Sequence, residues 1–185
     1  MIPMTGYFVL KQPRVPHLMT RRILILGIGN YLMGDEGVGV HLVRNMQADQ
    51  SIPAGADVLE GGTGGFHLLE YFEQYSTVIM IDAALDNKPV GSISVVRPRF
   101  AADFPRAMST HDIGMRDLVN ALQLLGKMPD VWLVTMSIES LQQQGIVLTP
   151  AIAARLPELE AVVRETVYSV RIPQLSFSQE TSELV

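Results

Sequence analysis

Three largely apolar runs constrain this chain most: ILILGIG from Ile23, VIMIDAAL from Val78 and VWLVTMSI from Val131. A strand with one wet face alternates apolar and polar residues. A strand covered on both faces reads apolar throughout, as the inner strands of a helix-covered parallel sheet do. Helical patterns separate the runs. Val38, Leu42 and Met46 fall on one face after the first, and GGFHLLEYFEQY follows a shorter strand, ADVLEGG. GSISVVRP reads as a strand on the sheet edge, because Pro98 stops it.

The second half continues the alternation. STHDIGMRDLVNALQLLG reads as a helix with Leu118, Leu122 and Leu125 on one face, Ser109 and Asp112 at its start and Gly126 as its stop. TPAIAARLPELEAVVRETVYSV reads as a terminal helix, with Thr149 as N-cap, Pro150 at the first helical position and a kink expected at Pro157. The expectation is a single-domain α/β fold: a mostly parallel twisted sheet, helices on both faces and one antiparallel edge strand. Residues 22–172 form this domain. Residues 1–21, proline-rich and without an acid, read as a disordered leader, and 173–185 as a flexible polar tail. Thr20-Arg21-Arg22 before an apolar run superficially resembles an export signal, but that run ends at acids and lacks a small-residue cleavage site.

Composition narrows the function. The formal charge of −5 disfavours nucleic acid and anionic membranes as partners, and no stretch approaches the ~20 apolar residues of a membrane span. With no cysteine in the chain, disulfides, thiolate metal sites and a cysteine nucleophile are excluded together. That absence fits a reducing, cytoplasmic setting.

The loop GIGNYLMGDEGVGVH, Gly27 to His41, opens like a dinucleotide turn. Leu32 stands where the third glycine belongs, and Asp35 and Glu36 sit where a phosphate would have to lie. A cation suits it better. Asp35 is expected to cap the helix that follows. In sheets of this type ligands bind beyond the carboxyl ends of the strands, where Glu36, Glu60 and Asp82 fall. Asp82 emerges from VIMI, so its carboxylate needs a compensating nest, basic partner or metal. Among the histidines, His17 lies in the leader, His41 reads as a solvated helix residue and His67 as packing beside GGF. His111, at a loop-to-helix junction, joins Glu36 and Asp82 in an O,O,N set suited to a borderline divalent ion such as zinc or nickel. The glycines of GGTGG either let backbone approach an extended ligand or simply supply positive φ to a turn.

Five segments, ILILGIGNYLMGDEGVGV, LEGGTGGFHLL, VIMIDAAL, STHDIGMRDLVNALQLLG and SIESLQQQGIVLTPAI, resemble in order the [NiFe]-hydrogenase maturation endopeptidases, from about Arg22 to Val167. The resemblance implies removal of a C-terminal peptide from the hydrogenase large-subunit precursor after nickel insertion. The implied partner is that precursor, with neither nucleic acid nor membrane. Nickel would arrive in the substrate, other divalent ions substituting, and bind Glu36, Asp82 and His111. As a metal-assisted or aspartic-type endopeptidase, the chain would use the nickel to polarise the scissile carbonyl or activate a water, or would only recognise nickel while Asp82 or Glu60 serves as general base. Glu60 would otherwise orient the substrate, with Gly61, Gly62 and Thr63 along the peptide. Many relatives carry aspartate where this chain has Glu60, a methylene longer. The alternative reading is a non-catalytic nickel-binding chaperone of hydrogenase assembly.

Overall fold

The computed structural model describes residues 22–98, 112–140 and 144–171. Five strands form one sheet: β1 (Ile23–Ile28), β2 (Ala56–Gly62), β3 (Thr77–Ala84), β4 (Ile93–Val96) and β5 (Asp130–Ser137), in the order β2-β1-β3-β5-β4. β2, β1, β3 and β5 are parallel, and β4 closes the edge antiparallel to β5. Burial follows the sequence pattern. β1 and β3 are buried at every residue, whereas β2 and β4, on the edges, are largely exposed or half-exposed.

The helices are α1 (Val38–Ala48), α2 (Leu69–Gln74), α3 (Asp112–Leu124), α4 (Pro150–Ala153) and α5 (Leu156–Arg171). Alternate strand residues feed two cores. Ile23, Ile25, Ile79 and Ile81 pack with Val38, Leu42 and Met46 of α1 and with Leu159, Val163 and Val167 of α5. Leu24, Leu26, Val78 and Met80 pack with Phe72 of α2 and with Met115, Leu118 and Leu122 of α3 on the other face. Among the described residues no helix is long and apolar enough to cross a membrane.

Two local expectations are corrected. Leu125 does not continue the buried face of α3; it is exposed, one residue past the helix end. Gly126, at φ +64°, sends its N–H to Gln123 O, while Lys127 N–H reaches Leu122 O, so the chain turns away before Leu125 can pack. Pro157 does not kink a long helix either. The break falls earlier, between α4 and α5, and Pro157 occupies the second position of α5, where no intrahelical donor is required of it. Thr149 caps α4 as its sequence implies, accepting from Ile152 N–H ahead of Pro150.

Candidate functional site

The chain steps from β1 outward to β2, then returns to place β3 on β1's other side. That reversal opens a crevice beyond the carboxyl ends of β1 and β3, the place where open α/β sheets bind ligands. The loop after β1 and the carboxyl end of β3 border that position.

α1 is drawn onto the sheet backbone to backbone. A Cβ on Gly39 would drive into the carbonyl oxygens of Ile81 and Ile28, and one on Gly27 into that of Gly39. With no side chain at this crossing, the 3₁₀ turn Gly34–Gly37 that precedes α1 packs against β3. Its two acids are buried. Asp35 does not cap its own helix; no side chain caps the turn or α1. Its carboxylate instead accepts from Thr149 N–H at 2.7 Å and Thr149 Oγ1 at 2.8 Å. Gly34 N–H to Gly145 O (2.7 Å) and Gly145 N–H to Leu32 O (2.8 Å) fasten the same loop to the segment after β5.

Asp82 lies on β3 opposite Thr135 of β5, on the α2/α3 side of the sheet by strand parity with Val78 and Met80. It is 2 % exposed, and its Oδ1 accepts the N–H of Ala83 at 2.7 Å. Glu36 is equally buried. Glu60 differs. It sits on the rim, on β2 opposite Gly27, just before the register slips by one residue. Arg44 of α1 donates to its Oε2 from Nε (2.9 Å) and Nη2 (2.8 Å). The Arg44 guanidinium lies 3.8 Å over the Tyr31 ring, and its pKa is held above the ordinary value chiefly by the Glu60 hydrogen bond.

His41 is not the solvated residue its sequence suggests. Its ring stands 4.6 Å from that of Tyr31, and its Nε2 is buried without a partner among the described residues. Burial, then the Arg44 charge, lower its pKa below 6.5, against an opposing pull from Asp35. His67 is exposed on the 3₁₀ turn Phe66–Leu68 rather than packed.

The GGTGG loop joins this edge through Gly29 N–H to Gly62 O, 2.8 Å. Gly62, Gly64 and Gly65 have φ of +53°, +74° and +113°, so the turn itself needs glycine. Gly61 is buried on Ile28 and Leu26, while Gly62 and Thr63 are exposed. Gly64 and Gly65 lie against Met115 and Gly114, which brings the start of α3 to the same edge. His111, the residue before α3, and Ser109 lie outside the described residues. Among the described residues no three His, Asp or Glu side chains gather as a metal site.

A cavity of about 360 Å³ lined by Arg97, Met128 and Asp130 lies at the amino end of β5, the opposite edge of the sheet. It contains none of the candidate residues.

A family model for hydrogenase maturation proteases (HycI) matches residues 40–166, from within α1 to within α5. The chain belongs to the hydrogenase maturation protease family. It is 35 % identical over 146 residues to the hydrogenase 2 maturation protease of Escherichia coli K12, covering 77 % of this chain and 88 % of that one. It is 32 % identical over 160 residues to the hydrogenase expression/formation protein HupD of Rhodobacter capsulatus, covering 85 % and 75 %. The solved structure of the E. coli maturating endopeptidase HybD superposes with a TM-score of 0.69 at 34 % identity, covering 80 % of this chain and 93 % of that one. HybD from Thermococcus kodakarensis shares the fold at TM-score 0.65 and 24 % identity, covering 78 % and 98 %.

As a hydrogenase maturation protease the chain is a hydrolase. It has no cysteine, which excludes a cysteine nucleophile, and no serine sits in a GxSxG elbow. The chemistry open to this edge is that of carboxylates: binding a cation, or taking a proton from water.

Proposed function

We propose that the protein is the endopeptidase that removes the C-terminal peptide of a [NiFe]-hydrogenase large-subunit precursor once nickel has been inserted. The observation that supports this reading, in a member of this family, is that two buried acids, Glu36 and Asp82, follow β1 and end β3 at the carboxyl side of the sheet. Carboxylates at the carboxyl ends of sheet strands are oxygen donors placed where such folds bind ligands, and a divalent cation presented by the substrate is a ligand they can take.

In this reading Glu36, Asp82 and His111 receive the nickel that the precursor already carries, so an empty precursor lacks the ion that completes the site. The docked ion supplies Lewis acidity toward the scissile carbonyl. Where the ion is only recognised, a carboxylate such as Asp82 takes the proton of the attacking water instead. Glu60, whose Oε2 is engaged by both Arg44 donors, orients the peptide rather than acting as base. Gly61, Gly62 and Thr63 line its path.

The test is a cleavage assay on nickel-loaded and nickel-free precursor, with the released peptide followed by mass. Release from the loaded precursor alone, abolished in Glu36→Gln, Asp82→Asn and His111→Ala, is expected. Nickel held at these residues with no release from either precursor would make the protein an assembly chaperone instead.

A further inference from the structure

Arg44 is built into the rim of the crevice in a way that a stray surface charge is not. One face of its guanidinium lies 3.8 Å over Tyr31, which belongs to the same loop as Glu36. Its Nε and Nη2 converge on a single oxygen of Glu60, which belongs to the strand leading into GGTGG. Tyr31 is backed in turn by the His41 ring at 4.6 Å. An exposed Arg–Glu pair adds little to stability, so the stack is poorly explained as a strut. What it does supply is direction. Glu60 has three side-chain torsions and is over a third exposed, yet here its carboxylate is held by a planar donor that is itself fixed by stacking. The β1/β2 register skips Gly61 just after Glu60, an irregularity of the kind that re-aims side chains near active sites.

We infer that Arg44 is a positioning residue: stacked on Tyr31 and hydrogen-bonded to Glu60 through the edge of its guanidinium, it aims the Glu60 carboxylate at the incoming peptide and thereby sets precursor preference. This rests on the endopeptidase reading for its substrate. It also accounts for glutamate at position 60, since an aspartate carboxylate, one methylene shorter, would withdraw from Arg44.

The test measures precursor affinity, cleavage constants and melting temperature on the full chain and nickel-loaded precursor. Arg44→Ala should weaken precursor binding and raise KM about tenfold, the size of one lost charge-assisted contact, with kcat within about twofold. Glu60→Asp should do the same. Arg44→Lys, which pairs but cannot stack as a plane, should recover part of the loss. None should move the melting temperature by more than about 2 °C. The exchanged pair, Arg44→Glu with Glu60→Arg, keeps an ion pair but should bind precursor no better than Arg44→Ala. Wild-type affinity in the exchanged pair, or unchanged affinity in Arg44→Ala, would overturn the inference. Precursor that binds with this variant pattern but is never cut would sink the endopeptidase reading and leave Arg44's role standing.

Discussion

Thr149 gives both of its donors to Asp35: the backbone N–H at 2.7 Å to one carboxylate oxygen and the hydroxyl at 2.8 Å to the other. The same hydroxyl oxygen caps α4 by accepting from Ile152 N–H. One acid thus ties the loop after β1 to a helix start far along the chain. Asp35→Ala should cost about 1–3 kcal/mol, because it leaves two part-buried donors without their acceptor. Asp35→Asn should cost less, since its oxygen still serves the N–H and the Thr149 hydroxyl can rotate. Urea unfolding of both variants, of Thr149→Val alone, and of Asp35→Ala combined with Thr149→Val, checks this. A double variant equal to the sum of the singles would show that the two residues do not couple.

The α1 crossing yields a second expectation. Gly39 has no room for a methyl group, and what it would strike is backbone, which cannot swing aside as a side-chain tip does. Gly39→Ala should destabilise by about 3 kcal/mol or more, roughly 10 °C in melting temperature for a chain of this size. Calorimetry decides it. A loss below about 1 kcal/mol would mean that α1 can lift off β1 and β3 freely.

Within GGTGG, two glycines separate turn geometry from ligand approach. Gly62 and Gly64 both have positive φ, but a Cβ on Gly62 meets nothing within 4 Å, whereas one on Gly64 comes to 2.6 Å from Met115 Sδ. Gly62→Ala should therefore cost only the left-handed penalty of about 1–2 kcal/mol, and Gly64→Ala more. If the precursor peptide runs over Gly62, Gly62→Ala should also raise KM for cleavage. An unchanged KM alongside the expected stability loss would return Gly62 to a turn residue alone.

These residues also show what a sequence discloses. The inner strands β1, β3 and β5 were legible because burial on both faces removes every alternation. The edge strand was legible from Pro98, and the start of α4 from the adjacent Thr149 and Pro150. Asp82 stood out because an acid inside an apolar run must be compensated. The partner of Asp35 was not legible: Thr149 lies 114 residues away, and a nearby helix start offered a local role for the acid. Arg44 and Glu60 meet only because a parallel sheet lays α1 beside β2, a juxtaposition no local period encodes. The ring of His41 looked solvated for the same reason, since Tyr31 comes to it from a loop.

That histidine gives the last expectation. Its pKa lies below the ordinary 6.5, mainly because burial opposes its charged form, with Arg44 adding to the effect. Above pH 6.5 the folded and unfolded chains both hold it neutral, and it contributes no pH dependence. As pH falls through 6.5 the unfolded chain takes a proton that the folded chain refuses, so stability declines, and the decline ends only below the folded pKa. Asp86 does not intrude on this window. Burial pushes its pKa up, but hydrogen bonds from Ser137 and Lys88 outweigh that and leave it below 3.8, so its contribution drains only in stronger acid. His41→Gln should therefore lose less stability than the wild type between about pH 8 and pH 5.5. Urea midpoints at the two pH values, compared between the proteins, measure the difference. Equal losses would show that the Tyr31–His41 contact opens enough to admit the proton.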